Sequence, residues 1–240
     1  MTADRWTQAV RHQLGLGRLL PLGGARDGAW IFEEAAGAVL RRAAEDLRGV
    51  RLDTLRIELA DPSFDAHPPA VPLPPSALPP GALRVTADFE ATAAGPLPTT
   101  AARLRTALAA AATERLGLTV TEVDLRVTAL LDEDPEPSPV RRPDPPRATE
   151  PRDADEEHVA TAALSVPGVL QLTGTPGGLG RAVHIEERQD GTALPHRHVR
   201  LELAVSADRR AVEVAREVRA KVGAALKDHP TVAVLVTSVT

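Results

Sequence analysis

The chain has 240 residues, of which 43% are hydrophobic and 25% charged, a balance typical of a globular protein with room for two domains of about 100 residues each. It contains no cysteine, which excludes disulfides, thiolate metal sites and cysteine nucleophiles. The formal net charge is −5, and five aromatic side chains are too few for the stacking surfaces of single-stranded nucleic-acid or carbohydrate binders. No apolar run approaches the roughly 18 to 20 residues that span a bilayer, and residues 1–10 lack a signal-peptide core, so we expect a cytoplasmic protein.

The first half of the chain shows clean hydrophobic periodicities. Apolar residues recur at helical spacing after Ala36, and Gly49 and Gly117 follow the two helical stretches as stop signals. Strict alternation of apolar and polar residues predicts three strands. The predicted order is helix, strand, strand, helix, strand, over residues 36–47, 54–59, 83–90, 99–116 and 122–127.

Two proline-rich stretches interrupt these elements. Eight of the 22 prolines lie in 62–80 and seven in 135–151, a density that excludes helices and central strands, so both stretches are predicted to be exposed connections. Residues 132–157 carry ten acidic residues against four Arg, a local charge of −6, so everything outside them sums to about +1. A nearly neutral remainder gives little electrostatic reason to bind nucleic acid or anionic lipid.

The second half repeats the order of the first. Its hydrophobic pattern predicts a helix at 158–166, strand-like pieces at 169–172 and 182–187, and a strand at 199–205. A long helix at 209–227 and a closing strand at 231–239 follow. The last segment is apolar on both faces, which suits a strand that is covered on both sides or that lies in a subunit interface.

Two halves with one element order indicate an internal duplication. We therefore predict an α+β protein with two tandem two-layer domains, each a small mixed sheet with two helices on one face. The predicted boundaries are an N-terminal arm at 1–27, a first domain at 28–131 that includes a proline loop at 62–80, a linker at 132–154 and a second domain at 155–240.

Short motifs at the predicted helix exits carry a family resemblance. They are Ala43-Ala44 with Gly49-Val50-Arg51-Leu52 in the first half, and Ala162-Ala163-Leu164-Ser165-Val166-Pro167-Gly168-Val169 in the second. Glycines in 177–180 and the segments 118–127 and 231–239 add to the pattern. The chain thus resembles two divergent tandem copies of the alkaline shock protein family of Gram-positive bacteria, of actinobacterial type. The first copy lacks the glycine hairpin, and the second has His229-Pro230 where a Gly-Leu pair is usual.

The resemblance implies a non-enzymatic cytoplasmic protein of the envelope stress response. It implies protein partners that include membrane-anchored family members, and association with the membrane through such a partner. Duplication gives the two halves equivalent faces. Such faces suit association of several chains into a homo-oligomer, or of the two halves of one chain into a pseudo-dimer.

Histidines supply the candidate ligand site. If residues 182–188 and 196–205 form a hairpin, one face gathers His184, Glu186, His196 and His198 together with Arg200 and Glu202. Three imidazoles and a carboxylate are a donor set that suits zinc, and imidazoles near neutrality also suit a pH sensor. The alternative is a solvated polar strand face.

Two glycine-containing segments are candidate binding elements. In the N-terminal arm, Trp6, Leu14 and Leu16 are candidates for contact with a partner protein. The alternatives are docking of the arm on a membrane surface and packing on the first domain. The glycines of 174–180 precede a strand without a Gly-Lys-Ser/Thr motif, which favours a hairpin over a phosphate loop.

Sequence patterns of catalysis are missing from the chain: it has no Gly-x-Ser-x-Gly elbow and no His-Glu-x-x-His motif. We therefore predict a binding or scaffolding protein without a cofactor. The alternatives are a metal- or pH-sensing module on the histidine-rich face and, less favoured, a hydrolase whose site is not a local motif.

Overall fold

The computed structural model describes residues 17–62, 68–136, 140, 143–174, 180–189 and 195–240. The first half contains two α-helices and five strands: β1 Leu19–Pro21, β2 Ala29–Phe32, α1 Glu33–Glu45, β3 Val50–Leu59, β4 Leu83–Thr92, α2 Leu97–Ala110 and β5 Val120–Leu131. A π-helical turn, Ala111–Leu116, continues α2 and ends at Gly117, whose positive φ of 90° reverses the chain.

The second half of the chain begins with α3 at Ala154–Leu164. Asp153 caps this helix by accepting hydrogen bonds from the backbone N–H groups of Asp155 and Glu156. The remaining elements are β6 Val169–Leu172, β7 Val183–Arg188, β8 His196–Val205, α4 Ala211–Ala225 and β9 Thr231–Val239. The prediction of an α+β protein with mixed sheets and four helices is confirmed for the described residues.

The first sheet has three strands in the order β3-β4-β5. β3 and β4 are antiparallel, whereas β4 and β5 are parallel and joined by the crossover through α2. One face of β4 is fully buried, and its other face carries Arg84 and Asp88, which form ion pairs with Glu122 and Arg126 of β5. This sheet thus has one core face and one solvated, charged face.

The second sheet has six strands in the order β1-β2-β9-β8, with β6 and β7 side by side along the far edge of β8. β2 runs parallel to β9, with Trp30 opposite Leu235, and β1 is antiparallel to β2. β1 and β2 were not predicted from the sequence. They place residues 19–32 in the sheet of the second half of the chain.

β9 is covered on both faces, as its apolar sequence predicts. Eight of its nine residues are buried, because α4 packs on it and α1 also contacts it. α1 contacts strands of both sheets and is buried on most of its circumference. The buried apolar side chains of both halves therefore form one continuous core.

The proline-rich stretches are not simply exposed connections, which corrects the prediction. Residues 70–78 lie along β1: Leu19 donates its N–H to the Ser76 carbonyl at 3.3 Å, and Leu78 donates to the Leu19 carbonyl at 2.8 Å. On the opposite edge, Ala148 donates to the Leu172 carbonyl of β6 at 3.1 Å. Apolar side chains explain this docking, since Val71 is buried and Ala148 packs against the core. The outer edges of β1 and β6 are thereby covered, whereas β7 pairs with β8 alone among the described strands.

A search of the described residues finds no helix that is both long and apolar enough to cross a membrane.

Candidate functional site

The histidine-rich face forms as the alternation predicts. In the β7–β8 ladder, His184 lies opposite Arg200, Glu186 opposite His198 and Arg188 opposite His196. Because directly opposed residues of an antiparallel pair point to the same side, these side chains share one face of the sheet. Residues 190–194, in the connection between these two strands, lie outside the described residues.

Much of this face is buried rather than solvated. His184 retains 7% of its surface exposed and His198 4%, and Glu202 in the same alternation is also buried. His198 Nδ1 lies 2.8 Å from Thr231 Oγ1, the first residue of β9. The ring of His198 is therefore held between two neighbouring strands.

The predicted zinc ligands do not assemble into a metal site. Within the described ranges, no three His, Asp or Glu side chains are placed to hold one metal ion. The geometry gives the reason: one ring nitrogen of His198 bonds to Thr231, and Nδ1 of His184 lies 3.5 Å from the Arg181 guanidinium. Two arginines, Arg188 and Arg200, also lie on the face that His184, Glu186, His196 and His198 share, and their charge opposes a cation.

Burial also sets the protonation of the two buried histidines. Desolvation, followed by the charge of Arg188, lowers the pKa of His198 to about 4. The pKa of His184 is lowered as well, first by burial and then by the charges of Arg200 and Arg181. Both imidazoles are therefore neutral at pH 7.

A buried ion pair lies next to this face and was missed by the sequence analysis. Glu156 in the first turn of α3 is buried, and its Oε1 lies 3.2 Å from Arg181 Nη1. Its Oε2 accepts a hydrogen bond from the Arg152 N–H at 2.9 Å. A sequence signal existed, since an Asp at position 153 followed three residues later by Glu is typical of a capped helix start. Arg181 itself has no such signal.

A cleft of about 490 Å³ opens beside this ion pair, between α3, β6 and the start of β7. Leu164 and Leu170 at its border are each 51% exposed, and Arg147 and Gln171 bond to each other across its rim at 3.1 Å. The cleft combines an apolar wall with a paired carboxylate and guanidinium, a lining of the kind found in ligand-binding clefts.

The outer edge of β5 is a long strand edge of the three-stranded sheet. No described strand pairs with it, and β5 is twelve residues long. Its apolar residues are only partly covered: Val127 is 37% and Leu130 60% exposed. From α2, Arg105 donates its Nε–H to the Val123 carbonyl at 3.1 Å. That bond shows that the Val123 carbonyl points away from β4.

The other sequence candidates lie outside the described residues. These are Trp6, Leu14 and Leu16 of the N-terminal arm, together with residues 175–179 of the glycine-rich segment.

Comparison with known proteins identifies no relative of this chain: no protein-family model, curated protein or solved structure matches it.

Proposed function

We propose that this chain is a non-enzymatic binding or scaffolding protein that recruits a protein partner by strand addition at the outer edge of β5. The observation that carries the proposal is the contrast between the two sheets. In the six-stranded sheet the segments 70–78 and 146–149 bond to the outer edges of β1 and β6, whereas the twelve-residue β5 has no described neighbour on its outer side. An open, partly apolar edge strand is a template for an added strand.

We further propose that the two halves are tandem alkaline-shock-like domains, at 28–131 and 155–240, within an envelope stress system. The repeated topology supports this proposal, since each half pairs two antiparallel strands and adds a third strand, parallel to the second, after a helix. The proposed location is the cytoplasm, with a membrane-anchored protein among the partners.

A network of ion pairs around Arg197 has a structural role. Arg197 bonds to Asp228 through Nε at 2.6 Å and to Asp155 through Nη1 at 2.5 Å, which ties α3 to the turn before β9. These bonds hold the pKa of Arg197 above its usual range and lower that of Asp228. The guanidinium and both carboxylates thus serve the fold.

The test is affinity purification of the tagged full-length chain from its own cells, in wild-type and Val127→Lys forms. A lysine at Val127 places a charge on the apolar side of the edge and should abolish capture of a partner. Leu73→Lys is the matched control, because Leu73 is also an exposed large apolar residue but lies in the proline segment. Equal capture by all three forms would contradict binding at β5.

The N-terminal arm is a separate proposed contact through Trp6, Leu14 and Leu16. Its test is a deletion of residues 1–16 only, because β1 begins at Leu19 and a longer deletion would remove part of the sheet. Loss of a captured partner on this deletion, with the fold intact by circular dichroism, is the expected result.

The second candidate function is a pH-sensing module on the face of His184 and His198. Their burial, with a pKa of about 4 for His198, favours this candidate because protonation of a buried imidazole opposes the packed state. Partner binding that changes between about pH 5 and about pH 3 in the wild type, on either side of the pKa of His198, but not in His198→Gln, would support it.

A further inference from the structure

The outer edge of β5 is complementary to itself. We infer that β5 pairs in an antiparallel manner with β5 of a second copy of this chain, with Leu125 opposite Leu125 of that copy. Two three-stranded sheets then become one six-stranded sheet across a twofold axis. The inference rests on the proposed function, strand addition at this edge, and it names the partner.

The backbone of β5 permits this pairing over a regular stretch. β5 follows β4 without interruption from Glu122 to Val127, with irregularities on either side. The Val123 carbonyl points outward, and because backbone groups alternate sides along a strand, those of Leu125 and Val127 do so as well. In a pair centred on Leu125, these residues exchange N–H···O=C bonds with the second copy, and the exposed Arg105 side chain gives up its bond to Val123.

The apolar face of the edge is completed by the second copy. Val123 and Leu125 are partly exposed and Val127 more so, whereas the neighbouring inner residues of β4 are buried. The pairing sets Val127 against Val123 of the second copy and Leu125 against its own counterpart. Both contacts cover apolar surface that a single chain leaves in water.

Charge selects the register. With Leu125 at the centre, Asp124 lies opposite Arg126 of the second copy, and the twofold axis repeats the pair. Moving the centre to Asp124 sets two carboxylates opposite each other, and moving it to Arg126 sets two guanidinium groups opposite each other. Like charges directly opposite are unfavourable, so one register of the three is favoured.

The opposite edge of the same sheet is less suited to pairing. β3 has an irregularity between Leu52 and Leu55, and Arg41 donates to the Asp53 carbonyl at 2.6 Å within it. Irregularities of this kind interrupt the ladder. Association through β5 therefore closes at two copies instead of continuing into a fibre.

The absence of cysteine from the chain allows a direct test of the register. A Leu125→Cys substitution places two thiols on directly opposed residues, at a Cα separation of about 5.5 Å that a disulfide accommodates. Thr121→Cys is the matched control, because residues 121 of the two copies would lie about 26 Å apart. We expect an oxidised dimer of full-length Leu125→Cys and none of Thr121→Cys. Equal cross-linking of both variants, or of neither, would overturn the inference.

Charge reversal gives an independent test by sedimentation of the purified chain. Asp124→Arg and Arg126→Asp should each weaken self-association by on the order of tenfold, since each sets like charges opposite one another. A mixture of the two variants should associate as the wild type does, because both cross-strand pairs then regain opposite charges. No recovery on mixing, with both variants folded by circular dichroism, would contradict the register.

Failure of this inference is distinguishable from failure of the proposed function. A wild-type chain that stays monomeric at all concentrations, and whose Leu125→Cys form does not cross-link, would overturn pairing with a second copy. If that monomer still captures another protein in a manner that Val127→Lys abolishes, strand addition at β5 stands with a different partner.

Discussion

Gly117 lies directly against Val212, where the end of the first crossover meets the first turn of α4. A β-carbon at Gly117 would overlap the Val212 side chain, and the φ of 90° at Gly117 is one that other residues rarely adopt. The same junction is fixed by two hydrogen bonds: Gly23 donates its N–H to the Gly117 carbonyl at 3.1 Å, and Arg210 donates to the Thr113 carbonyl at 3.0 Å. The two halves of the chain therefore meet here at close backbone distance.

A Gly117→Ala substitution should destabilise the protein by about 2–4 kcal/mol, because it adds left-handed backbone strain to a clash with Val212. Chemical denaturation with urea, followed by circular dichroism, measures the free energy of unfolding. The double variant Gly117→Ala/Val212→Ala should recover part of the loss attributed to the clash.

Gly95→Ala is the control for this prediction. No atom lies within 4 Å of a β-carbon at Gly95, so the substitution should leave the free energy of unfolding nearly unchanged. Equal effects at positions 95 and 117 would show that the contact with Val212 has no special role.

The Glu156–Arg181 ion pair gives a second prediction. Glu156→Gln removes the charge that is paired with Arg181 inside a largely buried environment, and we expect a loss of about 1–3 kcal/mol of unfolding free energy. Thermal and urea unfolding provide the measurement. The neighbouring Glu157 is exposed, so Glu157→Gln makes the same chemical change and should have little effect.

The buried His198 predicts a pH dependence of stability. In the unfolded chain a histidine has a pKa of about 6.5, whereas in the folded protein that of His198 is about 4, so the unfolded chain binds the proton first. The free energy of unfolding should therefore fall as the pH falls from about 6.5 towards about 4, by at most about 1.4 kcal/mol per pH unit. Arg188, Arg200 and His196 strengthen this effect, and Glu186 opposes it.

The measurement is urea unfolding of the wild type and His198→Gln at several pH values between 7 and 4. The variant should show a smaller slope than the wild type across this range. His158→Gln, at an exposed position on α3, is the matched control and should retain the wild-type slope. A wild-type slope in His198→Gln would mean that His198 has the same pKa in the folded and the unfolded protein.

The Trp30 side chain holds the first proline-rich segment beside β1, so a substitution of Trp30 should affect that segment locally. The buried Trp30 donates its Nε1–H to the Leu78 carbonyl at 3.2 Å and so holds residues 70–78 beside β1. Trp30→Phe removes this bond and leaves space behind, which should cost about 1–3 kcal/mol of stability. Amide exchange at Leu78 and Leu19 should accelerate more than exchange at Ala148, which lies on the far edge of the same sheet. Uniform acceleration at all three amides would indicate global destabilisation instead.

The helices and strands with a regular hydrophobic pattern were predictable, because neighbouring residues along the chain show which side chains are buried. β4 alternates strictly, and β9 is apolar and buried on both faces. β1 and β2 carry no such signal: they have three and four residues, too few for a period, and β2 forms because Ala29–Phe32 meet β9 at 231–239. Pairing at that sequence distance cannot be inferred from local pattern.

The candidate sites, like the strands, were predictable only where local pattern determines them. Alternation placed His184, Glu186, His196 and His198 on one face, but the burial of His184 and His198 depends on neighbouring segments that the alternation does not specify. The open edge of β5 likewise depends on strand order, since β9, the corresponding strand of the second half, has β2 on its outer side. Local sequence describes a strand, and topology decides whether its edge is free.

The pairing of β2 with β9 has a consequence for how the chain folds during synthesis. Synthesis of β5, which completes the three-stranded sheet, ends at residue 131. By contrast, β2 has no β9 to pair with until residues 231–239 have been made. At about 5–20 residues per second, Ala29–Phe32 would spend roughly 10–40 s without a neighbour on that side. The six-stranded sheet thus combines strands from the two ends of the described chain, and its central strand β9 is the last of its strands to be made.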